Sequence, residues 1–219
     1  MNAMDTTIKS SETLPNEAPT LASSAMLVEV NISMWTARRQ DHAATKTVIN
    51  AYNAQKGVGN FRKRLLADNE NLLAVTKHVG NTRDAHIHMT MPWSNSGLRL
   101  LPTAQYFKYH QAMTDRQNEF NRLVEQFIDG YNDAVTDVQV ALGDLFKRDE
   151  YPTTSDLPNK FKFNINYMPI PDAGDFRVDI GNDALAEVKQ QYSDFYTKQY
   201  STAMNDVWTR LHKSLTSMS

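Results

Sequence analysis

Between Tyr106 and Leu145 one seam of positions recurs alternately every four and three residues: Tyr106, His110, Met113, Gln117, Phe120, Val124, Phe127, Tyr131, Ala134, Val138, Ala141 and Leu145. A heptad-like period held over about 40 residues without a proline predicts one long helix with a continuous contact face. Leu123, Ile128, Val135 and Leu142 widen that face, so more than one neighbour is expected against it. At 1.5 Å per residue the helix would run roughly 60 Å, which predicts an elongated shape or an oligomer. Gly130 is its expected weak point, and Tyr151-Pro152 closes the segment.

Around this helix the remaining elements follow from periodicity. Residues 1–25 are rich in Ser, Thr, Pro, Asn and Glu without any period, and read as a disordered arm. Residues 26–219 read as a single α+β domain with an elongated helical part. Val28, Val30, Ile32 and Met34 alternate with Glu29, Asn31 and Ser33, a half-buried strand. A helix is predicted from about Asp41 to Gln55, with Ala44, Val48 and Tyr52 on one face. A short helix is expected at Phe61–Leu66 and another from Asn69 to Val79 or beyond; the run from Ala85 to Met91 fits a helix end or a strand. Phe161, Phe163, Ile165 and Tyr167 alternate with polar residues, as do Phe176, Val178 and Ile180, and Pro169–Gly174 joins them as a β-hairpin. A last helix carries Leu185, Val188, Tyr192, Phe195, Tyr196, Tyr200, Met204, Val207 and Leu211. Most of these are expected to pack on the long helix, with the surplus forming a subunit or partner interface. The fold class is therefore helix-dominated α+β: a small antiparallel sheet of the N-terminal strand plus the hairpin, with helices on one side and two long helices.

The formal charge of −2 conceals an uneven distribution. From Trp35 to Leu66 seven bases (Arg38, Arg39, Lys46, Lys56, Arg62, Lys63 and Arg64) face Asp41 alone, a net of +6; from Thr103 to Glu150 five bases face nine acids, a net of −4. Such a division signals either a basic surface for an anionic partner or two segments that attract each other. Gly57 and Gly59 beside these bases lack the spacing of a nucleotide-binding P-loop, yet they could let backbone and cations approach phosphate. Trp35 and Phe61 offer stacking surfaces of the kind single-strand binders use.

Other chemistry is thinner. The absence of cysteine excludes disulfides, zinc-thiolate sites, iron–sulfur clusters and thiol catalysis. His86 and His88 have an H-x-H spacing: on a strand they would share a face, with His78 as a possible third ligand, and on a helix they would diverge. Asp129, Asp133 and Asp137 stack on one helix face, which suits either a magnesium-holding acid cluster or a solvated surface. No nucleophile elbow or zinc-protease motif occurs. No enzyme activity, metal or cofactor is expected. No stretch has the length of a membrane span and no signal peptide is visible, so no membrane association is expected either.

Several stretches together resemble a family of bacteriophage and mobile-element proteins grouped as a domain of unknown function. They are Val30–Arg39, Leu100-Leu101-Pro102 before Tyr106, Leu142–Phe146, Tyr151-Pro152, Pro169–Val178 and Asp206–Leu211, so the resemblance spans about residues 27–215. It carries no catalytic residues. It implies a phage-encoded protein acting in the host cytoplasm, among genes for DNA metabolism or host takeover. The expected function is a non-enzymatic, oligomeric nucleic-acid binder, of single-stranded DNA in replication or recombination. Its contacts would come from Trp35, Arg38, Arg39, Lys56, Phe61, Arg62, Lys63 and Arg64. The alternative is a protein-interaction module, a scaffold or an inhibitor of a host enzyme, in which the basic segment merely complements the acidic helix.

Overall fold

Two helices begin by the same device. In the computed structural model, which describes residues 24–94, 97–170 and 182–217, the Asp41 side chain accepts from the Ala44 amide at 2.9 Å and starts α1 (His42–Ala51). The Asn69 side chain does the same for Leu72 at 2.9 Å and starts α2 (Glu70–Met89). Each cap satisfies an amide that the first turn leaves without a partner. The segment from Ala85 onward continues the helix to Met89, after which the chain turns extended.

The long seam is divided. Gly130 breaks it into α3 (Tyr106–Asp129) and α4 (Tyr131–Leu142). Gly143, at φ +50°, then ends α4 in the left-handed region that glycine enters without cost. Met113, Phe120, Val124, Phe127, Tyr131 and Val138 are buried. They lie within the chain's own core, with α3 packed along α2 and across the sheet. The seam is thus consumed intramolecularly, and the extended or oligomeric helix expected from its length is not what its apolar residues serve. A broad stripe needs several neighbours, and α2 and the sheet provide them.

Among the described residues the main sheet has four antiparallel strands in the order β4 (Met91–Pro92), β5 (Arg99–Pro102), β1 (Ala25–Ser33), β6 (Lys162–Met168). β1 pairs with β6 in the register Val28↔Tyr167 and Val30↔Ile165, and on its other edge with β5, Leu27 opposite Leu100. β5 is a strand in a stretch to which no strand was assigned from periodicity. Of the predicted hairpin the first arm is β6; the second, Phe176–Ile180, lies outside the described residues. The architecture is α+β and dominated by helix.

Both faces of β1 are covered at its start. Val28 and Leu101 pack on Tyr109 and Met113 of α3, while Ala25 and Leu27 join Trp93, Leu100 and Ala203 on the opposite face. Ala203 belongs to the last helix, α5 (Asn182–Thr216), whose Tyr196 ring meets Trp93 edge-on at 5.2 Å. This corrects two expectations: helices flank the sheet on two sides, and α5 docks on the sheet edge and not on the long helix. Arg210 fastens it, donating to the carbonyls of His88 (2.7 Å), Ile87 and Thr90 at the end of α2. Arg99 reaches the Ile87 and Thr90 carbonyls from β5. Two cations at a helix C-terminus satisfy its orphan carbonyls and oppose its dipole. Among the described residues no helix is long and apolar enough to cross a membrane.

Candidate nucleic-acid interface

The basic segment folds into a ribbon of its own. Arg38–Gln40 (β2) pairs antiparallel with Arg62–Arg64 (β3), in the register Arg38↔Arg64, Arg39↔Lys63, Gln40↔Arg62. The helix predicted at Phe61–Leu66 is therefore a strand, because pairing with β2 overrides a six-residue apolar–basic pattern too short to fix its own period. Its ends are pinned. The Leu65 amide donates to the Ala37 carbonyl at 2.7 Å and the Asp41 amide to the Phe61 carbonyl at 3.0 Å, while the Tyr151 hydroxyl donates to the Leu65 carbonyl at 2.9 Å. Ala37, buried at the entry to β2, holds φ +50°, a left-handed conformation costing a non-glycine residue about 1 kcal/mol.

Alternation divides the ribbon's side chains between two faces. Lys63 is on the inner one, 3% exposed. Its ammonium donates to Asp41 Oδ2 at 3.0 Å and to the Leu145 carbonyl at 2.6 Å, and pairs with Glu150 Oε2 at 2.7 Å. Burial alone would lower the Lys63 pKa, but the Glu150 and Asp41 carboxylates outweigh it and hold the ammonium above its ordinary value. Asp41 is pushed down to about 2, first by the Ala44 amide and then by Lys63. Lys63 cannot contact a phosphate from here, and the phosphate-binding role expected of it is withdrawn. Arg39 shares this face at its rim, exposed and 3.7 Å from Glu150.

Arg38, Arg62 and Arg64 occupy the outer face, all exposed. The two pinning bonds fall at alternate registers, which makes Arg38↔Arg64 and Gln40↔Arg62 the non-hydrogen-bonded pairs, the closer kind, with Cα atoms roughly 4.5 Å apart. Among the described residues Arg64 has only a solvent-exposed contact with Asp68, at 3.3 Å, the kind of pair worth little. Among the described residues Arg38 and Arg62 form no ion pair.

The proposed stacking residues separate. Trp35 is half-buried in the main core, edge-on to Tyr131 at 5.9 Å and tilted against Phe127 at 6.4 Å. Its ring packs against the core, which makes it a packing residue. Phe61 is half-buried beside α1, where it lines a cavity of about 260 Å³ with Val48, Ile49, Tyr52, Val58 and Asn60. Tyr52, read from its spacing as part of a packed face, is 80% exposed. Lys46 on α1 and Lys56 on the following loop are exposed on the segments bounding this cavity. Asn60 belongs to cavity and ribbon at once: its Oδ1 accepts from Gln40 Nε2 at 2.8 Å. Sequence reasoning missed Tyr52, although the absence of any carboxylate from His42 to Ala67 marks the stretch around it. Glu150, far from Lys63 along the chain, gave no signal.

The other candidates are dispersed. His86 and His88 lie on α2, one buried and one exposed. His86 Nδ1 is 2.7 Å from Tyr109 Oη, and burial with the nearby Arg99 lowers its pKa to about 4. Asp129, Asp133 and Asp137 all face solvent. Among the described residues no three His, Asp or Glu side chains gather as a potential metal site. In comparisons with known proteins, no family model, no curated protein and no solved structure matches this chain.

Proposed function

We propose that this chain binds nucleic acid through the outer face of the β2–β3 ribbon, with Arg38, Arg62 and Arg64 contacting phosphates and Arg39, Lys46 and Lys56 extending the positive field. One observation carries the reading: three arginines share a solvent-facing side, while the neighbouring carboxylates Asp41 and Glu150 are engaged by Lys63 on the other. Guanidinium groups suit phosphate because their planar donors match its oxygens. The protein would act by binding, without catalysis. The resemblance to bacteriophage proteins implies DNA metabolism or host takeover within a host cell as the setting; the basic segment beside Phe61 supports single-stranded DNA in replication or recombination as the ligand. Anisotropy of a fluorescent oligonucleotide at several salt concentrations tests this. Arg38, Arg62 and Arg64 changed together to Gln should weaken binding and reduce the slope of log K against log salt by about 2–3, since each phosphate contact contributes roughly 0.7–0.9. An unchanged affinity, or a parent protein that does not bind at low salt, rejects the proposal.

A second reading, an interaction module or homo-oligomer, is favoured by α5. Tyr200, Met204, Trp208 and Leu211 are exposed within an arc of about 80° at 3.6 residues per turn, and Trp208 is 63% exposed. An apolar stripe of this kind is a usual mark of a binding surface. Sedimentation of the parent and of Trp208→Ala tests self-association: a larger species in the parent that dissociates in the variant supports it, and a monomer at every concentration rejects it.

A further inference from the structure

We infer that the cavity between α1 and the loop before β3 receives a single unpaired nucleobase from the strand whose phosphates lie on the arginine ribbon, an inference that rests on the nucleic-acid reading above. Its volume, about 260 Å³, is below the roughly 300–1,000 Å³ of a site for a drug-sized ligand and suits one planar ring system. Two aromatic side chains line it, Phe61 from its inner wall and Tyr52 from an exposed rim. Val48 and Val58, both exposed, extend an apolar surface that water covers in the free protein. An aromatic and aliphatic lining is what a base face stacks on, and it is tolerant of base identity.

The charge of the cavity's own segment adds attraction. No carboxylate occurs from His42 to Ala67, whereas the exposed bases Lys46, Lys56, Arg62 and Arg64 do. A polyanion leaving the ribbon along the cavity's own segment meets bases there, while Asp41 and Asp144 line the adjoining pocket behind Val48 and Phe61, beside Lys147. Continuity is provided by Asn60: its Oδ1 is used by Gln40 of the ribbon, and its Nδ2 hydrogens, without a partner among the described residues, can donate to a carbonyl or ring nitrogen on a base edge. Base pairing would keep a duplex base in its stack and out of the cavity, so the site selects single strands.

The experiment compares a fluorescein-labelled dT oligonucleotide with a duplex of the same length, in the parent, Tyr52→Ala, Tyr52→Trp and the Arg38, Arg62, Arg64 triple variant. Tyr52→Ala should weaken single-strand binding about tenfold with the salt slope unchanged, because no phosphate contact is lost. Its duplex affinity should remain within about twofold of the parent's, and Tyr52→Trp should restore single-strand binding. Since Tyr52 is exposed, these variants should retain the parent's circular dichroism. A 2-aminopurine oligonucleotide should be quenched by the parent and not by Tyr52→Ala. Unchanged single-strand affinity in Tyr52→Ala, alongside loss in the triple arginine variant, overturns the base site and leaves the ribbon reading standing. Equal affinity of the parent for duplex and single strand overturns the selectivity. A parent that binds neither overturns the ribbon reading and the base site with it.

Discussion

Arg38 lies directly across the ribbon from Arg64, in a non-hydrogen-bonded antiparallel pair, and the ion pair that Arg64 makes is with exposed Asp68. Like charges in this position oppose folding. A ribbon selected for stability alone would have no reason to hold them there, whereas one that meets phosphate would. Arg38→Thr should therefore leave stability unchanged or raise it by a few tenths of a kcal/mol, while removing one phosphate contact and about 0.7–0.9 from the salt slope. Urea unfolding and oligonucleotide titration measure the two effects separately. Destabilisation beyond about 1 kcal/mol would show that the arginine is structural.

Lys63 should behave in the opposite way. Lys63→Met leaves the Asp41 and Glu150 carboxylates and the Leu145 carbonyl facing one another without the buried ammonium, with Arg39 reaching only Glu150, from the rim. Removing one partner of a buried ion pair costs about 3–5 kcal/mol, mostly as the penalty of the charge left behind. Lys63→Met combined with Glu150→Leu should recover part of that loss, since one stranded carboxylate is gone. Denaturant midpoints of the single and double variants decide it, and a single variant within about 1 kcal/mol of the parent contradicts the buried arrangement.

Acid should erode stability in two windows. Buried His86, with Tyr109 and Arg99 around it, titrates at about 4 when folded and near 6.5 when unfolded. Between these values the unfolded chain binds a proton that the folded one does not, so this contribution is intact above pH 6.5 and lost as pH falls towards 4. Asp41, at about 2 against an ordinary 3.8, stabilises fully above the ordinary value, and its contribution disappears as pH falls through about 2. His86→Gln should flatten the upper window and leave the lower one. A parent–variant difference in unfolding free energy that is constant from pH 7 to pH 4.5 would refute the buried neutral imidazole.

Thr82 is fully buried on α2 and its hydroxyl finds no hydrogen-bond partner among the described residues. Valine has nearly the same shape without the polar atom. Thr82→Val should stabilise the protein by about 1 kcal/mol, the lower range of the penalty for an unmet buried donor. Thermal unfolding measures it, and a lowered midpoint would mean that the hydroxyl is satisfied in solution.

Much of the framework was legible because local pattern and tertiary demand agree there. Val28, Val30 and Ile32 alternate in sequence and pair with β6 in the structure; the caps at Asp41 and Asn69 start the helices their spacing announced; Gly130 interrupts the long seam where a bend was expected. The short segments were less legible. Met91–Pro92, Arg99–Pro102 and Arg62–Arg64 are strands through their partners, and two to four residues carry too few turns of any period to declare themselves.

The same division separates charge from site. The amino-acid sequence by itself determined that seven bases gather within about thirty residues, that thiol chemistry is absent, and that helix dominates. Only the tertiary structure decided which of those bases face a partner. Pairing of β2 with β3 sends alternate side chains to opposite sides, so Arg38, Arg62 and Arg64 meet solvent while Lys63 meets Glu150 from a distant part of the chain. It also set Trp35 in the core and left Tyr52 open beside the ribbon. Composition adds charges along a chain, whereas the field a ligand meets depends on which of them share a face and which are neutralised by neighbours that folding brings from elsewhere.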